Sequence, residues 1–211
     1  MQALRTESGR LVRFVPPAGG DPYYEVHLFE SGQVHTRPES HHDLFNALCW
    51  LAFPRTKARI NALHAAEIPR EGGRRGRLRD LLTIFDEGGA LVACADAQLN
   101  AMIREFRWRE LFWEQRERVR ASMRFVVLGH AVLEQALDPR PGITCKVLFV
   151  DPHRDADAQA AEWLGRLPAG ASPRLLAPLP VLGFPGWLAA GESVNFYDDT
   201  SYFRHPAAGD A

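Results

Sequence analysis

The chain has 211 residues, the length of one domain, and is expected to form a single domain over residues 1–211 with its core in residues 23–205. Its 46% hydrophobic and 24% charged residues are an ordinary globular balance that allows a sizeable core. A net charge of −1 excludes a surface built wholly for nucleic acid, so any such partner would need a local basic patch.

Three cysteines, Cys49, Cys94 and Cys145, are far apart, odd in number and set in apolar surroundings. They read as buried free thiols in a reducing compartment. The first residues lack an apolar signal core, and no apolar run approaches the roughly 18 residues of a membrane span. The expectation is a cytoplasmic protein without membrane association.

From the N-terminus, residues 11–15 form a short β-like run stopped by Pro16 and Pro17. Residues 23–29, rich in aromatic and β-branched side chains, precede a glycine-containing turn at 30–33 and a second extended run at 34–37. This pattern predicts a β-hairpin. A helix should begin near His42 or Asp43, with Asp43 as N-cap or first-turn acid. Leu44, Leu48 and Leu51 lie on one stripe filled out by Phe45, Cys49 and Trp50, which predicts a central, mostly buried helix. Pro54 should break it, and a second helix should run over residues 56–66.

Residues 70–79 are a glycine- and arginine-rich connector. It reads either as a surface loop or as a clamp in which guanidinium groups grip phosphate or carboxylate. Residues 81–85 and 90–94, joined by Asp86, Glu87, Gly88 and Gly89, predict a second hairpin. Residues 96–120 are helical with a break near Arg107, and their alternating Arg and Glu residues suggest a solvated, ion-paired face. Residues 123–137 read as a buried helix, although their valines leave a strand beginning open. Residues 143–150 carry the strongest strand signal, residues 155–167 a short helix. Beyond Pro168 the chain is rich in proline and glycine yet anchored by apolar and aromatic residues, so it should wrap the surface as ordered loop. The fold class is therefore α+β: predominantly helical, with two β-hairpins and a long ordered C-terminal wrap.

Several blocks resemble a known family. The run His42, Asp43, Leu44, Phe45, Asn46, Ala47, Leu48, then Trp50 and Leu51, then Phe53, Pro54, Arg55, Thr56 and Lys57, resembles the opening motif of DUF3025, an uncharacterised bacterial domain of unknown function. Residues 83–89 resemble its second block, and Gly129, His130 and Ala131 with Glu134 its third. Residues 178–187 and 196–199 resemble the closing blocks. The resemblance covers about residues 36–205, implies a proteobacterial source and brings no activity with it.

Two constellations are able to carry chemistry. In the first, His42, Asp43, Asn46, Lys57, Asn61 and His64 set ionisable and amide groups on an apolar helix pair. If the Pro54 break folds those helices together, His42 and His64 converge with Asp43 as a proton-transfer or metal set, and such donors suit zinc, manganese or iron. The plainer reading is a capping Asp, a backbone-bonded Asn and surface histidines. In the second, His130 and Glu134 share a helix face as an oriented base, two metal ligands, or a self-satisfied pair. Asp86 and Glu87 are explained by turn chemistry alone.

A strand-end His35 followed by Asp43, Asn46 and His64 also invites comparison with the ββα-metal core of HNH-type nucleases, although the spacing to His64 is long and Pro54 interrupts the helix. Phosphate-binding loops, dinucleotide glycine fingerprints, Gly-x-Ser-x-Gly elbows and Cys-x-x-Cys pairs are all missing. The leading expectation is a hydrolase with His42, Asp43, Asn46 and His64 at its site, His130 and Glu134 assisting, and Lys57, Arg74, Arg75, Arg77 and Arg79 meeting a small anionic substrate. Its metal ligands, if it uses one, would be His42, His64, His130 and Glu134. The competing expectation is a binding or scaffold protein with Trp108, Trp113 and Trp187 as contact surface.

Overall fold

The structure, a computed structural model, describes residues 3–17, 19, 23–71 and 75–205. It is α+β, built on a four-stranded mixed sheet. The strands are β1 (Arg13–Val15), β2 (Gln33–His35), β3 (Gly89–Ala93), β4 (Arg124–Val127), β5 (Thr144–Val150) and β6 (Ala177–Pro180). The helices are α1 (Tyr24–Ser31), α2 (His41–Ala52), α3 (Pro54–Glu67), α4 (Arg77–Gly88), α5 (Ala97–Arg104), α6 (Arg116–Ser122), α7 (His130–Gln135) and α8 (Ala156–Gly165). In the main sheet the order is β4, β3, β5, β6; β3 and β5 run parallel, and the two outer pairings are antiparallel. β1 and β2 make a separate parallel pair.

Central strand β3 is buried along its whole length, so its side chains alternate between two cores rather than between core and water. Ala90 and Val92 face one core with Leu99, Ile103, Phe112 and the C-terminal aromatics. Leu91 and Ala93 face the other with Leu81, Leu82, Phe85 and Leu164. Edge strand β6 carries Pro178 and Pro180, which a sheet tolerates at its border. The C-terminal wrap is ordered, as its aromatics implied. The Tyr202 hydroxyl donates to the Ile143 carbonyl and accepts from the Leu182 amide, pinning the wrap to the sheet.

Both predicted hairpins are corrected. The glycine turn after residue 29 is a helix end: Gly32 adopts a left-handed conformation at φ 77° and its amide caps Leu28. A Cβ there would lie 2.2 Å from the Leu11 carbonyl oxygen, so the close approach of β1 also demands glycine. In the second case Leu81, Leu82 and Phe85, all fully buried, line one face of α4, and the chain passes straight from α4 into β3. Residues 123–137 begin as the strand their valines allowed. The helix starts only at His130, after Leu128 and Gly129 both donate to the Gly89 carbonyl.

Helices α2 and α3 meet at Pro54 as expected, with proline in the first turn of α3. The expected burial of α2 is overturned. Cys49 and Trp50 face inward, but Leu44, Leu48 and Leu51 are each about half exposed. Among the described residues no helix is long and apolar enough to cross a membrane.

Candidate functional site

The residues singled out on α2 and α7 are brought together, because those helices pack against each other. Helix α2 is opened by Ser40, whose hydroxyl accepts the Asp43 amide. Helix α7 is opened by Gly129, packed so tightly on the end of α4 that a Cβ would sit 2.4 Å from the Glu87 carbonyl oxygen. That approach seats the His130 ring against α4.

A chain of contacts then runs from solvent inward. Glu134 Oε2 lies 3.0 Å from His42 Nδ1, and His42 Nε2 lies 3.1 Å from His130 Nε2. His130 Nδ1 is 2.9 Å from the Asp86 carbonyl oxygen and 3.7 Å from its carboxylate. The Asp86 carboxylate meets Lys57 Nζ at 2.5 Å, and Lys57 also donates to Asn46 Oδ1 at 2.7 Å. His42 and Glu134 remain partly open to solvent, whereas His130 and Lys57 are buried.

Proton accounting makes the His42 and His130 contact unusual. The Asp86 carbonyl only accepts, so His130 Nδ1 carries hydrogen and, in the neutral ring, Nε2 is a lone pair. The Glu134 carboxylate likewise draws hydrogen onto His42 Nδ1. Two neutral rings would therefore oppose Nε2 lone pairs 3.1 Å apart. The contact is favourable only with one cation shared between the rings. Burial pushes His130 below the ordinary imidazole range, outweighing Asp86, with Lys57 and His42 adding to the fall. His130 therefore holds a proton shared across this contact only weakly.

Asp86 is the centre of this electrostatic arrangement, and sequence reasoning dismissed it as turn chemistry. Burial pushes its carboxyl up, but Lys57 and His130 more than offset this and hold it below the carboxylate range. The available signal was the helical spacing of Leu78, Leu81, Leu82 and Phe85, which carries residues 77–88 as helix and so turns Asp86 inward.

Residues 12–206 match the family described as Protein of unknown function (DUF3025). The chain belongs to this family. No curated protein and no solved structure matches it. The family's description assigns no activity, so function must be argued from the domain's own geometry.

Other proposed site residues lie elsewhere. Asp43 turns back on the preceding loop, accepting from the Arg37 amide at 2.7 Å and from its guanidinium at 2.8 and 2.9 Å. The Arg37 hydrogen bonds hold its carboxyl at about 2. Lys57 is committed inward and does not face solvent. His64 is buried with Nδ1 3.4 Å from Arg79 Nε, an arrangement in which the ring accepts and is neutral. Burial pushes it down to about 4. Asn61 Nδ2 donates to the Glu25 carbonyl and carboxylate at 2.8 and 2.7 Å, and its Oδ1 has no partner among the described residues.

In the connector, Arg75 pairs with Asp80 at 2.9 Å and Arg79 with Glu71 at 2.9 Å, while Arg77 is exposed; Arg74 lies outside the described residues. His35 ends β2 against the rings of Tyr24 and His27. Because β1 and β2 run parallel and residues 24–31 are helical, the nuclease analogy loses the hairpin it rests on. Trp108 is buried, donating to the Arg204 carbonyl at 2.8 Å, so it supplies no contact surface. Cys49 donates to the Leu128 carbonyl, and burial pushes its thiol up to about 11, which disfavours the thiolate. Among the described residues no group of three or more His, Cys, Asp or Glu is arranged to hold a metal ion.

Proposed function

We propose that the α2/α7 junction is an acid–base site at which His42 transfers a proton during hydrolysis of a small anionic substrate. The observation carrying this reading is the unbalanced pair of imidazoles, whose Nε2 atoms at 3.1 Å need a shared cation while both Nδ1 hydrogens are already spent. With a proton as that cation, Glu134 orients His42, and His130 is a buried acceptor that holds the proton weakly. Water is the nucleophile: through His42 the pair gives its shared proton to the leaving group and regains one from the attacking water, so the proton count is restored. Arg37, beside Glu134 and largely exposed, offers a guanidinium to the substrate anion. Three buried free thiols support a reducing compartment such as the cytoplasm as the setting of the reaction.

One feature favours a metal-assisted version. Imidazoles whose Nδ1–H groups rest on a carboxylate and a carbonyl are oriented as metal ligands usually are. Zinc, manganese or iron would then replace the shared proton, held by His42 and His130, with water or substrate completing its shell. A non-catalytic binding role rests on a different feature, the exposed leucines of α2.

Untagged protein assayed for bound metal and for hydrolysis of p-nitrophenyl acetate, p-nitrophenyl phosphate and bis-p-nitrophenyl phosphate tests these readings. Turnover of one of these esters, reduced about 100-fold or more in His42→Gln, is the expected result. Turnover unchanged in His42→Gln would remove His42 from the chemistry, and no turnover of any ester would leave the binding role favoured.

A further inference from the structure

A cavity of about 690 Å³ opens between the N-terminal segment, α3 and α8, and none of its lining residues belongs to the His42 cluster. That volume is in the range of small-molecule sites. The room comes from missing side chains. Ala158, Ala161 and Gly165 stand at helical spacing on α8, opposite Pro54 and Ala58 on α3. The rim is cationic: Arg5, Arg55, Arg59 and Arg166 line it against only Glu7 and Glu162.

Those acids are poorly placed to neutralise the guanidinium groups. Glu162 gives both carboxylate oxygens to Arg154 at 3.0 Å, which leaves Arg166 3.9 Å away. The Arg55 guanidinium meets Asp155 only at 3.5 Å, and that oxygen already caps α8 through the Ala158 amide at 2.7 Å. Arg59 Nε lies 2.9 Å from Glu7 but out of line, so this buried N–H has an ion pair and no hydrogen bond. The helix start of α3 is already filled, since Asp157 accepts from the Arg55 and Thr56 amides. The unmet demand is therefore on the side chains, and it is for an anion.

We propose that this cavity binds a small organic anion, a carboxylate or phosphate ester whose apolar body lies on the alanine floor while its charged head meets Arg55, Arg59 and Arg166. The three guanidinium groups supply forked donors to such a head, and the small residues accommodate the body. This site stands apart from the proposed hydrolytic site.

The probe is 8-anilinonaphthalene-1-sulfonate, an anion with an apolar ring body, titrated against folded protein with melting temperature recorded in parallel. A saturable 1:1 fluorescence rise with a raised melting temperature is expected. Arg55→Ala and Arg166→Ala, both at exposed positions, should each weaken binding about tenfold, the size of one lost charged contact. Ala161→Trp should abolish it by filling the floor while the far-ultraviolet circular dichroism stays that of the native chain. Octanoate and phenyl phosphate should displace the dye, and whichever does so at lower concentration identifies the head group. No saturable binding, equal affinity in Arg55→Ala and Arg166→Ala, displacement by uncharged octanamide as readily as by octanoate, or loss of binding in His42→Gln would each overturn the proposal.

Discussion

His42 and His64 stand on adjoining helices and looked equivalent, yet their surroundings are opposite. His64 is buried, accepts from Arg79, and is held neutral. His42 is partly open, and its second nitrogen faces the nitrogen of another imidazole. The first is a core residue whose contact with Arg79 needs no added proton. The second is balanced only by a cation from outside the covalent structure. What separates the two histidines is the remote element packed against each: α4 for His64, α7 for His42.

The largest effect should come from the buried side of the contact chain. Lys57→Met leaves the Asp86 carboxylate without its cation, and stranding a buried charge costs about 3–5 kcal/mol. Urea unfolding measures it. Asp86→Asn added to Lys57→Met should recover much of the loss, because the uncompensated charge is gone. A loss below about 1 kcal/mol in Lys57→Met would show Asp86 to be hydrated, and the contrast between inner and outer residues would collapse.

His64 should come next. Its ring is held near 4 in the folded chain, against an ordinary value of 6.5. Between those values the unfolded state binds more protons than the folded one, so stability rises with pH. It is fully present above about pH 6.5 and is lost as the pH falls towards 4. The shift corresponds to about 3 kcal/mol. Urea midpoints at pH 7, 5.5 and 4 should fall steeply in the native chain and flatten in His64→Leu. An acid limb equally steep in His64→Leu would assign it to other groups.

Local rules carried the sequence reading where the chain's own neighbours decide the outcome. The Pro54 break, β5, α8 and the aromatic anchors of the wrap were all legible for that reason. The errors arose where glycine was ambiguous. Gly32 ends a helix beneath Leu11, and Gly88 with Gly89 joins a helix to a strand, but both patterns also suit hairpins. The second error concealed Asp86, since a turn aspartate and an inward helical aspartate read alike until Leu81, Leu82 and Phe85 are weighed together. The pairing of α2 with α7 was legible only as a condition: Glu134 and His42 are 92 residues apart, and no local rule relates them. The exposed leucines of α2 show the converse, because periodicity finds an apolar stripe without saying whether anything covers it.

The smallest effect on stability should accompany the largest on chemistry, and it falls on His42. Its ring is about one-third exposed, and its pairing with the more exposed Glu134 is a surface contact of modest worth. His42→Gln also replaces the opposed lone pair at His130 Nε2 with an amide able to donate to it, so the cation requirement disappears. Unfolding free energy should therefore stay within about 1 kcal/mol of the native chain, or rise slightly, as when a strained functional group is relieved. His64→Leu and Lys57→Met carry no such compensation. If His42→Gln instead destabilised the chain by 3 kcal/mol or more, on the scale of a buried charge pair, His42 would belong with His64 as a core residue. The α2/α7 junction would then be packing, and the proton it shares a detail of that packing.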